Sequence, residues 1–518
     1  MCDGYTSSSI LWLYIKRIFP NANLNFTVHE HKQHGLEDKV EYIIEEHYNL
    51  VLVLDAGSFD GEFMRRLQEA GIEVLCEDHH MLPDDYDMEK ETPSNAIIIN
   101  NQLSPNYSNK SLCGAGVVYK FCEVLDDILG INLSKEFIDL VALGEIADVM
   151  NRCDVETNYI IMEGLRNIKN KGFRTLIESQ SFSLKDHAKY PYTGLTPIDI
   201  AFYISPLINA IVRVGSLQEK ETLFYCFVEP ERLVKSTKRG ASETDTETAS
   251  EQTARIGANA KNKQNKIKER AMDLIDFKIK KNGLDDNNII IVELTDEDNI
   301  PQEMTGLIAM AVVSKYGKPC MIGRKNDIGD IQGSIRSDSN FAGMPSFKKF
   351  LEESSLINYV SGHDNSAGWG AKLENINDLI EYANKTLNVE DFSSSYAVDY
   401  VFNAYNQSLA PVGMMFASNM ELFGNGIDEV KVIITDIPLS NIFVMGADKN
   451  SIKITVNRVD YVKFKDEDFI NQVLENREKK ITIKGRFNLN LWQGHKSLQV
   501  FIEDYEFQED EDSSKFDF

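Results

Sequence analysis

Two short apolar runs, each closed by groups that can donate electron pairs, constrain this fold more than any other feature. Leu50 to Asp55 reads Leu-Val-Leu-Val-Leu-Asp, and Ile72 to His80 reads Ile-Glu-Val-Leu-Cys-Glu-Asp-His-His. Runs of this length, rich in branched residues, predict buried strands. Between them Asp60 to Ala70 has helical spacing, and Gly71 ends it. The order is strand–helix–strand, which favours parallel pairing. In open α/β sheets the crevice outside the carboxyl ends of parallel strands is where ligands bind. Asp55, Asp78, His79 and His80 are therefore expected in one place.

The chain has 518 residues, enough for two or three domains with separate cores. Its apolar runs are strand-length and too short to span a bilayer, and Met-Cys-Asp-Gly at the start is no leader pattern. Seven Cys without a Cys-x-x-Cys spacing argue against a zinc ribbon or a disulfide framework, and for a reducing cytoplasm. The formal net charge of −27 argues against a long polyanion track, although a metal site supplies positive charge locally. Part of the excess lies in Glu503 to Phe518, with eight acids and one Lys. That tail reads as a solvated segment, or as one that competes with nucleic acid or docks on a basic partner.

Further along, Ser8 to Phe19 and Leu36 to Glu46 have helical spacing, and Ala96 to Ile99 is another strand. Cys113-Gly-Ala-Gly opens a helix to about Leu129, and Ser134 is expected to N-cap the next, to about Val149. Helices continue over Glu156 to Leu176. Ser236 to Thr253 reads as a surface loop or hinge, passing into a long polar helix, about Gln252 to Lys281, of a kind that bridges domains. A second α/β unit begins at Asn287. Tyr396 to about Met420 reads as helical, and Met414 and Met415 as packing. From Glu429 to Glu506 alternating segments predict a small barrel or sandwich.

The candidate metal ligands are Asp3, Asp55, His79 and Asp148. Carboxylates with one or two imidazoles suit Mn²⁺ or Mg²⁺ better than zinc, which more often recruits Cys. Asp148 ends an apolar helix, where a carboxylate opposes the helix dipole and a neighbouring cation relieves the cost. Asp55 is assigned the shared bridging position, His80 the phosphate, and Asp78 the holding of an imidazole from outside the metal shell. The bland alternatives are that strand-end acids cap turns and that the His pair is structural.

At these residues the chain resembles the DHH phosphoesterase superfamily, through Leu54-Asp55-Ala56-Gly57, Asp78-His79-His80, Leu112-Cys-Gly-Ala-Gly-Val117 and Val141-Ala-Leu-Gly-Glu-Ile-Ala-Asp148. Ile204-Ser-Pro-Leu-Ile-Asn209-Ala with Arg213 is similar to a RecJ-type substrate-binding turn. Gly333-Ser334-Ile-Arg336-Ser and Ser361-Gly362-His363-Asp-Asn resemble the phosphate-gripping motifs of the DHH-associated domain, and Asn490-Leu-Trp492-Gln-Gly a RecJ OB-type domain. The resemblance implies substrate contacts at Asn209, Arg213, Ser334, Arg336, Gly362, His363 and Trp492. It implies a two-metal, Mn²⁺- or Mg²⁺-dependent exonuclease that degrades single-stranded DNA 5′ to 3′ into mononucleotides. The expected partner is single-stranded DNA, with a single-stranded-DNA-binding protein or helicase beside it, no membrane, and a monomeric state.

The implied architecture is α/β: a parallel-sheet DHH domain over 1–235, a hinge and linking helix over 236–283, and a smaller DHH-associated domain over 284–390. A helical connection over 391–428, an OB-like barrel over 429–507 and an acidic tail over 508–518 complete it. Each carried-over residue has a plainer reading. Asn209 can cap a turn, Arg213 can pair with an acid, Arg336 and His363 can be surface turn residues, and Trp492 can be barrel core rather than a stacking platform.

One departure from the family pattern stands out. His-x-Asp-x-Asp-Gly is reduced here to Asp3-Gly4, with Met1 in place of the earlier acid. The expectation is a chain begun internally, Asp3 on an untethered end, one weakened metal position and slow or absent cleavage. The alternatives are a phosphodiesterase on short oligonucleotides or cyclic dinucleotides, and a single-strand-binding relative impaired in catalysis.

Overall fold

The computed structural model describes residues 1–30, 35–82, 86–192, 194–326, 329–338, 340–392, 397–446, 448–492 and 495–508. The chain divides into two compact units, Met1–Ser395 and Tyr396–Phe518.

The first unit begins with a helix, Cys2–Ile18, earlier than the Ser8 start expected from apolar spacing. Its first turn is stabilised from outside: the Asn209 side-chain oxygen accepts from the Cys2 amide at 3.1 Å, and Thr6 and Ser7 hydroxyls return to the Asp3 carbonyl. Three parallel strands follow, β1 (Leu50–Leu54), β2 (Glu73–Asp78) and β3 (Ala96–Asn100), in that spatial order. Residues pair in register from Leu50 opposite Glu73 to Leu54 opposite Glu77, so β1 and β2 end together. Val53, Val74 and Cys76 of these strands pack on Met64 and Leu67 of the Gly61–Glu69 helix. A larger helical core gathers Ile10, Leu11 and Tyr14 with the Gly114–Leu129 and Ile138–Ala147 helices.

Ser134 does not N-cap a helix; it starts a 3-10 turn, Ser134–Phe137, and its amide donates to buried Asp126, which already receives Tyr14. The stretch 197–214 is long and apolar enough to cross a membrane by length and composition, which the reading of apolar runs misses. Ile200, Ile204, Leu207, Ile208 and Ile211 from it are buried in the protein core.

The expected hinge loop is instead a hairpin, β4 (Leu233–Lys235) with β5 (Thr246–Thr248), whose Thr248 N-caps the long helix Ala249–Asn282 through a capping box with Glu251. The hairpin is pinned by Glu247, which is buried and contacts Arg255, Gln252 and Ser236. The 34-residue helix enters two cores, Ala254, Ile256 and Ala260 in the first and Ala271, Ile275 and Ile279 in the second. The second lobe is a five-stranded sheet, β6 (Ile290–Leu294), β7 (Cys320–Lys325), β8 (Asp330–Arg336), β10 (Ser366–Lys372) and β9 (Tyr359–His363) in spatial order, with Thr305–Tyr316 packed against it.

The second unit is one seven-stranded sheet. In spatial order it runs β11 (Tyr400–Asn403), β12 (Lys431–Pro438), β16 (Lys480–Trp492), β17 (His495–Phe507), β15 (Val459–Lys463), β14 (Ser451–Val456) and β13 (Ile442–Met445). Two expectations are corrected here. The 391–428 stretch is not wholly helical: Tyr-Val-Phe-Asn, aromatic and β-branched, pairs in parallel with Val432–Thr435, and among its described residues Leu409–Ala417 forms the α-helix. Among the described residues no pairing joins β11 to β13, so the sheet is open rather than a closed barrel. The acidic tail from Glu509 lies outside the described residues.

Candidate metal centre and adjoining cleft

Asp55 follows β1 and His79 follows β2, and their paired strands bring Asp55 Oδ1 to 3.2 Å from His79 Nε2. Asp148, C-cap of the Ile138–Ala147 helix, places Oδ2 3.5 Å from the same nitrogen, and Asp3 Oδ2 lies at 3.8 Å. Ligand atoms of Asp3, His79 and Asp148, and again of Asp55, His79 and His80, lie within 4.8 Å of one another. All four proposed ligands thus meet around one imidazole nitrogen.

Asp3 is not on a loose end. It is buried, and its oxygens accept from the amides of Gly114 (2.8 Å) and Ala115 (2.9 Å), at the amino-terminal end of the helix that Cys113-Gly-Ala-Gly opens. Amides there are unpaired within the helix and carry partial positive charge, so a carboxylate suits them. Close approach requires the glycines. A Cβ at Gly114 would stand 2.7 Å from that of Asp55, and one at Gly144 would stand 2.9 Å from Asp3 Oδ1 and 2.7 Å from the Ala115 Cβ. Glu145 is buried beside them and accepts from the Cys113 amide; nothing in the apolar pattern of its helix singled it out. Two non-glycine residues adopt left-handed backbone here, Asp55 (φ 62°) and Val149 (φ 58°), the second beside Asp148. Such conformations cost about 1–3 kcal/mol each and persist where surrounding structure imposes them.

The electrostatics call for a cation. Burial pulls the His79 imidazole down, but Asp55, Asp3 and Asp148 outweigh it and raise it to about 10. Burial, with Asp3 beside it, pushes Asp55 up to about 6. His79 Nε2 and Asp148 Oδ2 are buried without a hydrogen bond among the described residues. Orphaned donor atoms converging with three carboxylates fit a divalent ion, which replaces the proton the acids draw onto His79. Asp78, buried at the end of β2, holds no ligand position. Its Oδ1 takes the His80 Nδ1 at 2.7 Å and its Oδ2 the Ser58 amide at 3.0 Å. That fixes the half-exposed His80 ring and raises its basicity, although burial opposes the rise.

The remaining sequence candidates divide. Arg213 and Arg336 approach each other: burial and then the Arg213 charge lower the Arg336 guanidinium to about 10. No carboxylate among the described residues pairs with either. Arg336 donates to the Ile335 carbonyl at 2.6 Å and presses on Gly306, where a Cβ would meet Nη2 at 2.5 Å. His363 stays largely accessible in β9; partial desolvation, with the positive fields of nearby His79 and His80, lowers it. Gly362 is exposed with φ 130° in β9, a conformation that favours glycine. Ser334 is buried and its hydroxyl pairs with that of Thr305 at 2.9 Å, which packs β8 on a helix. Asn209 spends its carbonyl oxygen on Cys2. The Trp492 side chain lies outside the described residues, while its backbone pairs with His495 across the β16–β17 hairpin.

Comparison with known proteins identifies the family and the fold. Residues 2–145 match the DHH family, N-terminal domain, and residues 410–504 the RecJ OB domain. The chain is 34% identical to the SPbeta prophage-derived single-strand DNA-specific exonuclease YorK of Bacillus subtilis, over 97% of this chain and 85% of that one. It is 24% identical to the single-stranded-DNA-specific exonuclease RecJ of the same organism, over 97% of this chain and 60% of that one. The crystal structure of RecJ in complex with Mn²⁺ from Thermus thermophilus shares the fold, with TM-score 0.71 and 19% identity over 98% of this chain and 68% of that one. The similarity to YorK spans nearly the whole of this chain and most of that relative, and both ends of the chain match family domains, so the chain belongs to the RecJ family of DHH-domain proteins.

Proposed function

We propose that this chain is a metal-dependent exonuclease that hydrolyses single-stranded DNA from the 5′ end to mononucleotides. The observation that carries the reading is the convergence of Asp3, Asp55 and Asp148 on the orphaned His79 Nε2, beside two guanidiniums without a described acidic partner. Asp3, Asp55, His79 and Asp148 would hold Mn²⁺ or Mg²⁺, the ions named for the Thermus RecJ structures. Bound there, such ions supply Lewis-acid charge that activates water and polarises the scissile phosphoryl group.

The chain's own residues do the rest. Arg213 and Arg336 bind phosphate, in a partly buried setting where charge-assisted hydrogen bonds are strong. His80, oriented by Asp78, holds a proton toward a phosphate oxygen. His363, kept low by its surroundings, is a neutral donor from the second lobe. Digestion from the 5′ end and mononucleotide products are the finer part of the proposal, taken from the resemblance and tested with end-labelled strands. A seven-stranded domain beyond the second lobe favours long strands over dinucleotides.

The second reading is a single-strand-binding relative impaired in catalysis. The experiment that separates them is Mn²⁺-dependent release of mononucleotides from 5′- and 3′-labelled strands, by wild type and Asp55→Ala. The nuclease reading requires release from the 5′ end that Asp55→Ala abolishes. No release from wild type with normal single-strand binding selects the impaired reading.

A further inference from the structure

The long helix Ala249–Asn282 carries a feature the catalytic cleft does not use. At about 100° per residue, Lys263, Lys266, Arg270, Phe277 and Lys281 fall within about 60° of one another, on a stripe about 27 Å long. All five are exposed, Phe277 to 61%, while Ala271, Ile275 and Ile279 bury the opposite face. Several other charges on this helix have structural partners: Lys278 with Asp298, Lys280 with Asp285, and Asp276 with Lys315. The four stripe cations have no described carboxylate partner, in a chain with 81 acidic residues against 54 basic. Lys281 Nζ instead lies 5.6 Å from the centre of the Phe277 ring. At its other end the stripe reaches the cleft, because Lys263 Nζ donates to the carbonyl of Val214 at 3.0 Å, next to Arg213.

We propose that this stripe is a second binding surface for a single-stranded polynucleotide, with Lys263, Lys266 and Arg270 on successive phosphates and Phe277 as a stacking platform for one base. Lys263, Lys266 and Arg270 follow one another at about 4.5 and 6 Å along the axis, a spacing an extended strand matches. Cations tracking a backbone beside an exposed aromatic ring are what sequence-independent single-strand binding requires. An acidic protein surface would meet the charges but gain nothing specific from an exposed ring. Glu269 and Asp273 both lie along one edge of the stripe. The inference rests on the nuclease reading only for what delivers the strand; the surface itself is defined by its own residues.

Binding by fluorescence anisotropy, in EDTA, of strands of about 30 and about four nucleotides tests it, for wild type, Lys263→Gln/Lys266→Gln/Arg270→Gln and Phe277→Ala. The triple variant should lose tenfold or more in affinity for the long strand, with the salt slope smaller by about 2, since each phosphate contact on a single strand contributes about 0.7. Phe277→Ala should weaken the long strand roughly tenfold with the slope unchanged. Short-strand binding and Mn²⁺-dependent cleavage of the short strand should match wild type. Unchanged long-strand affinity in both variants overturns the proposal, as does equal loss on both lengths; an acidic protein as the true occupant would give the first of these. Wild type that cleaves with an inert stripe leaves the nuclease reading standing. A stripe that binds in a protein unable to cleave removes the nuclease reading alone.

Discussion

The Asp3 carboxylate accepts a hydrogen bond at 2.8 Å from the amide of Gly114, a residue 111 positions away in sequence. The contact ties the first turn of the chain to the helix that supports Asp55, and it makes one residue both a helix cap and a candidate ligand. Asp3→Ala should therefore lower stability by about 1–2 kcal/mol, the usual cost of losing a cap and leaving buried amides unpaired. It should also weaken Mn²⁺ binding, and calorimetry with thermal melts reads the two effects separately.

Mn²⁺ should stabilise the protein against heat, by about 2.7 kcal/mol at a hundredfold excess over its dissociation constant. Asp55→Ala should abolish that shift. Melting temperature with and without EDTA measures it, and an Asp55→Ala protein that still responds to Mn²⁺ would remove Asp55 from the metal shell.

The pH dependence follows from His79. Its folded value, about 10, lies above the unfolded value of 6.5. In the metal-free protein this stabilisation is fully present below pH 6.5 and is lost as pH rises through 10. Metal must displace the same proton, so Mn²⁺ affinity should rise with pH across that window. Titration calorimetry in two buffers of different ionisation enthalpy should show proton release at about pH 7.5 in wild type. It should shrink in His79→Gln.

Glu247 gives the opposite sign. It is held down to about 2, against burial, by Arg255, Gln252 and the Thr237 amide. A depressed acid stabilises above its unfolded value of 4.5, and that stability is lost as pH falls through 2. Glu247→Gln should cost about 2–3 kcal/mol near neutral pH and little at about pH 2. Denaturant melts at both values check it, with Mn²⁺ affinity as the unchanged control.

Gly144→Ala should disturb the centre without touching a ligand. Its Cβ would stand 2.7 Å from Ala115 Cβ and Thr6 Oγ1, all in the packed interior. Overpacking of this kind costs about 1–3 kcal/mol. Mn²⁺ affinity should fall along with the melting temperature, whereas Gly130→Ala, where nothing stands within 4 Å, should leave Mn²⁺ affinity intact.

Much of the candidate site was legible because strand and helix ends are local properties. Alternating and continuous apolar runs located the ends of β1 and β2, and with them Asp55, Asp78, His79 and His80. The helix that Asp148 ends was equally visible. What stayed hidden was long-range. Nothing near Asp3 reveals that amides more than a hundred residues away will hold it, so a tethered residue reads as a loose end. Ser334 sits in a Gly- and Ser-rich turn by composition, yet it lies within β8 facing Thr305. Tyr400–Asn403 was hidden by a helical neighbourhood, because a four-residue strand is specified by its partner β12 more than by its own pattern.

The helix Ala249–Asn282 has a mechanical corollary. Because its two halves are embedded in two different cores, its angular phase sets which way each lobe looks. Inserting one residue between Ala260 and Ala271 would turn everything downstream by about 100°, swinging Arg336 and His363 off the side that holds Asp55 and His79. Inserting seven, nearly two whole turns, would restore the bearing while adding about 10 Å of reach. The lobes are clocked like two cams on one shaft, and the length of that shaft between them is part of the chemistry.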